Sequence, residues 1–120
     1  MKDIHERVFE FACRVVRLHR ALSSKRGTDR VAANQLLRSG TGIGSNLEEA
    51  KAAQSKADFI AKARISLKEA RESNYWLRLM EATETIETSR IHPLVQESHE
   101  IVAILTTIIK KASTPSPPVS

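Results

Sequence analysis

Four histidines are the side chains best suited to bind a metal in this chain. Helical bundles that hold di-iron centres place a glutamate three residues before a ligating histidine. None of His5, His19, His92 and His99 has a glutamate there. His92 and His99 are seven residues apart and share a helix face, but no third ligand lies near them in sequence. The sequence therefore predicts surface histidines and neither a metal nor another cofactor.

The remaining polar residues give no catalytic pattern. The serines show no nucleophile elbow, so neither an enzyme nor a small-molecule substrate is expected. Glu69 and Glu72 lie one turn apart on a segment rich in Lys and Arg, which favours ion pairs over paired catalytic carboxylates. Asn46 and Glu49 lie beside apolar positions, which favours a polar network between helices. The single cysteine, Cys13, is interpreted as a buried small hydrophobe.

A basic stripe is the most informative charge pattern. Its members recur at spacings of four, three, four and three: Arg64, Lys68, Arg71, Tyr75 and Arg78. They share one helix face about 20 Å long. Cations of this kind can neutralise phosphates, and an aromatic ring can stack on a base. A smaller set of cations comes from two other segments: Arg7, Arg14, Arg17 and Arg38. The alternative is a solvated face whose cations meet an acidic partner or a neighbouring subunit.

Composition is consistent with both alternatives. The 120 residues fit one domain, with 41% hydrophobic and 28% charged residues. The net charge of +5 favours polyanions only weakly. No apolar run is long enough to span a bilayer, and the charged start, 1–6, does not resemble a signal peptide. We therefore expect a cytoplasmic protein without a membrane partner.

Apolar periodicity predicts four helices. The first runs over 4–22 with a heptad seam, and the second begins at a cap, Thr28 or Asp29. The third runs over about 56–82 after a capping box at Ser55. A threonine-rich loop over 83–90 precedes the fourth helix, in which Pro93 suits the first turn. These helices form a domain over 1–112, and the Pro/Ser-rich tail 113–120 is expected to be disordered.

The second helix contains three glycines, Gly40, Gly42 and Gly44. Each costs up to about 1 kcal/mol relative to alanine, yet the apolar period continues across them. We therefore expect a continuous helix whose glycines allow another helix backbone to approach. A phosphate-binding loop would need a preceding strand and a Gly-Lys-Ser/Thr ending, and both are missing. On the third helix, Trp76 and Leu79 make the surface apolar on more than one side, which predicts a subunit interface.

Two sequence blocks carry a resemblance to a known family. The first is RSGTGIGSNLEEA at 38–50. The second begins with SKADFI at 55–60 and continues through ISLKEARE at 65–72 to YWL at 75–77. Over about 35–79 the chain resembles bacterial four-helix-bundle proteins encoded within intervening sequences of 23S ribosomal RNA genes. Gly42 stands where that family usually has serine, and Ser45 where alanine is common.

The resemblance implies an all-α, antiparallel, left-handed up-down-up-down four-helix bundle that forms a homopentameric ring. It implies no catalytic residues. Nucleic-acid binding is the standing suggestion for the family, and the accessory proteins of diversity-generating retroelements are similar bundles that work with RNA. Our first hypothesis is therefore a non-enzymatic, homo-oligomeric RNA- or DNA-binding protein. The second is a protein-interaction scaffold that uses the same stripe.

Overall fold

Four helices account for most of the chain. The computed structural model describes residues 2–25 and 30–115. The helices are α1 (Ile4–Ser23), α2 (Arg30–Lys51), α3 (Lys56–Ala82) and α4 (Thr88–Ser113). No strand occurs among the described residues, so the predicted all-α four-helix bundle is confirmed. None of these helices combines the length and apolar character needed to cross a membrane.

Side-chain caps fix two of the helix starts. The Asp3 carboxylate accepts a hydrogen bond of 2.9 Å from the backbone N–H of Glu6 at the start of α1. The Ser55 hydroxyl accepts one of 3.0 Å from the N–H of Asp58 at the start of α3. These bonds satisfy N–H groups that have no partner within the helix. The predicted caps of α2, Thr28 and Asp29, lie outside the described residues.

Helices that follow one another in the chain are antiparallel, as the contacts between them show. Between α2 and α3, Ser39 contacts Ser73, whereas Ser66 donates to the carbonyl of Ile43. The later residue of one helix thus meets the earlier residue of the other. Between α3 and α4, Asn74 bonds Ser98 and Glu81 bonds His92, with the same reversed order. Between α1 and α2, Gly40 lies against Val15 and Gly44 against Val8, again in reversed order. The chain therefore runs up, down, up and down, and the left-handed arrangement stays a prediction.

The core follows the predicted seams. In α1 the seam residues from Val8 to Leu22 are buried, and in α2 the seam stays buried from Leu36 to Ala50. The largest fully buried hydrophobic side chains come from all four helices: Phe11, Val15, Leu22, Leu36, Ile43, Leu77, Met80, Ile91, Ile101 and Leu105. Burial of apolar area on one stripe of each helix is what stabilises a bundle of this size.

Gly40 and Gly42 face side chains, whereas a neighbouring backbone was expected there. Gly44 does lie close to the backbone of α1, since a β-carbon there would be 3.9 Å from the carbonyl oxygen of Val8. A β-carbon on Gly40 would lie 3.0 Å from both γ-methyls of Val15. A β-carbon on Gly42 would lie 3.1 Å from Oε2 of Glu69. At Gly44 the nearest atom would be a γ-methyl of Val8, at an ordinary 3.7 Å. α2 is continuous across them, as predicted, and two of the glycines make room for particular neighbours.

The start of α4 differs from its prediction. The helix begins at Thr88, so the loop after α3 covers only 83–87. Pro93 is consequently the sixth residue of α4 and lies in its second turn. A short connection suffices because α3 ends with its cap at Thr83, whose hydroxyl donates to the carbonyl of Leu79 at 2.8 Å. Of the predicted tail, Ser113 ends α4, and residues 116–120 lie outside the described part.

Candidate nucleic-acid interface

The charges of α3 are sorted by side. All members of the stripe are exposed: Arg64, Lys68, Arg71, Tyr75 and Arg78. The exposed residues of α3 include no Asp or Glu. Within the described part of the chain, none of the four stripe cations forms an ion pair. The outer face of α3 is therefore a surface of one charge sign.

The acidic residues of α3 point sideways. Glu69 and Glu72 bind Arg38 of α2, as predicted: Nη1 of Arg38 donates to Glu69 Oε2 at 3.2 Å, and its Nη2 donates to Glu72. The hydrogen bond that Arg38 donates to Glu72 is the main cause that raises the pKa of Arg38. Gly42 leaves the space in which the Glu69 side chain lies. The carboxylates of this helix are thus neutralised at its flank and do not cancel the stripe.

The remaining acidic residues of α3, Glu81 and Asp58, also have partners within the bundle. Glu81 Oε2 accepts a hydrogen bond of 2.9 Å from Nδ1 of His92 on α4. Asp58 sits in the first turn of α3 and its Oδ2 accepts from the N–H of Gln54 at 3.3 Å. A carboxylate in this first turn also complements the positive end of the helix dipole. Each acidic residue of α3 therefore has a hydrogen-bond or ion-pair partner within the bundle.

Tyr75 is the aromatic member of the stripe. Its side chain is 50% exposed. Its ring meets that of Trp76 edge to face, with centroids 5.1 Å apart and planes at 75°. Trp76 is half-buried and packs against the core, so it holds one edge of the tyrosine in place. Half of the tyrosine surface remains available for stacking.

Apolar side chains border the stripe. Ile65 is 42% exposed and Leu79 is 37% exposed, and both lie on the outer side of α3. A second apolar surface lies on α1, where Phe9, Ala12, Cys13 and Val16 line a shallow groove. Cys13 is half-buried there, which differs from the predicted buried thiol, since α1 turns it outward from the core.

Arg7, expected to assist the stripe, is already bound within the bundle. Its Nε and Nη2 donate to the two carboxylate oxygens of Glu97 at 3.1 and 2.5 Å, a bidentate pair. A third bond of 3.1 Å reaches Glu100. The Glu97 hydrogen bond is the main cause that raises the pKa of Arg7. Arg7 and Arg38 therefore connect helices, whereas Arg14 and Arg17 form no ion pair in the described structure.

Other polar residues singled out in the sequence have structural partners. Asn46 donates to the carbonyl of Gly42 in its own helix at 2.8 Å, so it does not join the expected network between helices. Glu49 does bridge helices, through Lys62 of α3 at 3.2 Å. Across the described residues, no group of three His, Cys, Asp or Glu side chains could hold a metal ion.

The buried hydrogen bonds between helices are formed by residues that the sequence did not single out. Ser73 donates to Ser39 at 2.9 Å and the Asn74 amide donates to Ser98 at the same distance. These four residues are buried. In the sequence they are polar residues, most of them small, at positions where the helical spacing calls for a buried side chain. A search for apolar periodicity counts such residues as interruptions of the seam. They fix the rotation of α3 and so the side on which the stripe emerges.

Comparisons with known proteins place the chain in a family. The model of the 23S rRNA-intervening sequence protein family matches residues 2–107. The fold is similar to a crystal structure from Bacteroides thetaiotaomicron, described as a protein of unknown function from the S23 ribosomal protein family, with a TM-score of 0.85. The two are 44% identical, over 90% of this chain and 99% of that one. No curated protein matches. The chain therefore belongs to the 23S rRNA-intervening sequence protein family.

Proposed function

We propose that the protein is a non-enzymatic, homo-oligomeric bundle that binds RNA or DNA along the outer face of α3. One observation carries the proposal: the exposed residues of α3 include cations and no carboxylates. The family to which the chain belongs is named for an intervening sequence of 23S rRNA, which makes ribosomal RNA the first ligand to test.

The dimensions of the stripe fit a nucleic-acid backbone. From Arg64 to Arg78 the face extends about 20 Å at 1.5 Å per residue. Unpaired cations on it do not have to release an internal carboxylate before they contact phosphates. If four cations each neutralise one phosphate of a single strand, the logarithm of affinity falls with the logarithm of salt concentration with a slope of about −3. Stacking on Tyr75 adds a contribution that tolerates any base.

Neutralisation of two stripe cations tests the proposal. We expect Arg64→Gln with Arg71→Gln to weaken binding to ribosomal RNA fragments about tenfold or more at low salt. The slope should become shallower by about 1.4, since each lost phosphate contact removes about 0.7. Fluorescence anisotropy over a salt series measures both quantities.

A matched control removes the same charge elsewhere. Lys110 and Lys111 are exposed in the last turn of α4. Their double substitution by glutamine lowers the net charge equally and should change the slope little. Equal losses in the two double variants would mean that only net charge matters. Absence of salt-sensitive binding by the wild-type protein would refute the proposal.

A protein-interaction scaffold is the second candidate, and the apolar border favours it. Ile65 and Leu79 flank the cations on α3, and such a mixture of apolar and basic residues also suits an acidic protein or a neighbouring subunit. Self-association could further use the α1 groove around Phe9, which is 68% exposed. A pentamer remains the expected assembly from the family resemblance.

A further inference from the structure

A basic groove lies between α1 and α4, away from the stripe. Its cationic lining residues are Arg14 and Arg17 of α1 and Arg90 of α4, and its volume is about 180 Å³. Leu18 and Leu94 form an apolar floor, and both are buried. α1 packs against α2 and α4, and α3 packs against the same two helices, so α1 and α3 lie diagonally opposite each other. The groove and the stripe are therefore on different sides of the bundle.

The cations of this groove have no carboxylate partner among the described residues. The nearest acidic side chains along α1 and α4 are already in use: Glu97 and Glu100 bind Arg7, and Glu10 binds Lys2 at 2.6 Å. Glu87 lies three residues before Arg90, yet it forms no ion pair and no side-chain cap. Arg14, Arg17 and Arg90 thus line one concave site, and none of the three forms an ion pair within the described residues.

The positive charge gathered around this groove favours an anionic ligand. Arg17 and Arg90 are exposed and Arg14 is half-buried, and an anion can contact them without breaking an internal ion pair. Arg90 is also in the first turn of α4, which contains no acidic residue. The positive end of the helix dipole adds to the potential there, and the exposed carboxylate of the N-cap residue, Glu87, offsets part of it.

We propose that this groove binds a phosphate group. Guanidinium groups match phosphate oxygens in a bidentate geometry, and arginines on two helices can approach one phosphate from different directions. The phosphate can belong to a free phosphate or mononucleotide, or to the backbone of a nucleic acid. The site does not depend on the α3 stripe, because it uses other residues on another side.

Titration with small phosphates tests the site directly. Nε–Hε signals of the arginines are followed by NMR at constant ionic strength in three series, with inorganic phosphate, a nucleoside monophosphate and a short oligonucleotide that lacks a terminal phosphate. We expect the signals of Arg14, Arg17 and Arg90 to move together and those of Arg64 and Arg78 to stay. Arg14→Gln with Arg90→Gln should reduce affinity about tenfold.

Comparison of the series identifies the source of the phosphate. Equal affinity for both small ligands assigns the site to free phosphate, tighter binding of the mononucleotide assigns it to nucleotides, and binding of an oligonucleotide phosphodiester alone assigns it to a nucleic-acid backbone. All three support a phosphate site.

Two results would overturn the inference. One is an equal movement of the arginine signals from the groove and from the stripe in the two small-phosphate series, which would indicate nonspecific ion binding. The other is an equal loss of phosphate affinity in Arg64→Gln with Arg71→Gln, the variant that tests the stripe. A stripe that fails to bind RNA would leave the phosphate titration unchanged, so the two proposals fail separately.

Discussion

Substitution of the three glycines of α2 by alanine should change stability with different signs. In a helix interior, alanine is favoured over glycine by about 0.8 to 1 kcal/mol. At Gly44 the new β-carbon would have an ordinary contact of 3.7 Å with Val8. We therefore expect Gly44→Ala to raise the free energy of unfolding by about 0.5 to 1 kcal/mol.

Gly40 should behave in the opposite way. Its new β-carbon would lie 3.0 Å from both γ-methyls of Val15 and 3.3 Å from the Val15 β-carbon. Val15 is fully buried, and a valine in a helix has essentially one rotamer, so it cannot turn away. Overpacking of this kind costs about 1 to 3 kcal/mol. After the helix gain, Gly40→Ala should lower stability by about 1 kcal/mol.

Gly42 should fall between these two. The new β-carbon would lie 3.1 Å from Oε2 and 3.3 Å from Cγ of Glu69. Glu69 is a long side chain that can move, but moving it weakens its contact with Arg38. The helix gain and this loss should nearly cancel, and Glu69→Ala should restore the full benefit of Gly42→Ala.

Urea denaturation measures the series, with CD at 222 nm (a standard helix wavelength) as the signal. Val15→Ala is the matched control for Gly40→Ala, since removal of the γ-methyls should make the second substitution less harmful. A difference of 1 kcal/mol corresponds to roughly 3 to 6 °C in Tm for a chain of this size. If Gly40→Ala stabilised the protein as much as Gly44→Ala, the assignment of Gly40 to close packing would be refuted.

Two further substitutions test the buried polar contact and the apolar face. Asn74→Ala should destabilise the protein by about 0.5 to 1.5 kcal/mol, because it removes the buried hydrogen bond to Ser98 while Ser98 keeps its bond to the carbonyl of Val95; a double-mutant cycle with Ser98→Ala that shows no coupling would contradict this. Phe9→Asp should lower the oligomer mass in sedimentation without loss of helicity, because its ring is exposed in the single chain. Ala103→Asp, at an exposed position of α4, serves as its control, and a wild-type monomer would rule out this interface.

Sequence periodicity was sufficient to predict the helices and their buried faces. The heptad seam of α1 and the bounds of α3 agree with the structure because apolar spacing and a capping serine are local signals. The predicted start of α4 lies after Arg90, whereas the helix begins at Thr88. Thr88, Ser89 and Arg90 look like loop residues by composition, yet they form the first turn of the helix.

Which residues pair across helices was harder to predict than where each residue lies on its own helix. The exposure of Arg64 and Arg71 follows from spacing alone. That Arg7 is bound by Glu97, 90 residues later, depends on which helices are neighbours and on their register. The groove was missed for the same reason, since Arg90 joins Arg14 and Arg17 only once α4 packs on α1.

The edge-to-face pair on α3 also makes the protein its own optical reporter. Tyr75 and Trp76 are the only tyrosine and the only tryptophan in the chain. All indole emission therefore comes from one position, whose ring touches the stripe on one side and the core on the other. Excitation of the tyrosine passes to the adjacent indole, and a base stacked on Tyr75 would interrupt that transfer. Ligand arrival at the surface and loosening of the interior can thus be followed in one unlabelled sample.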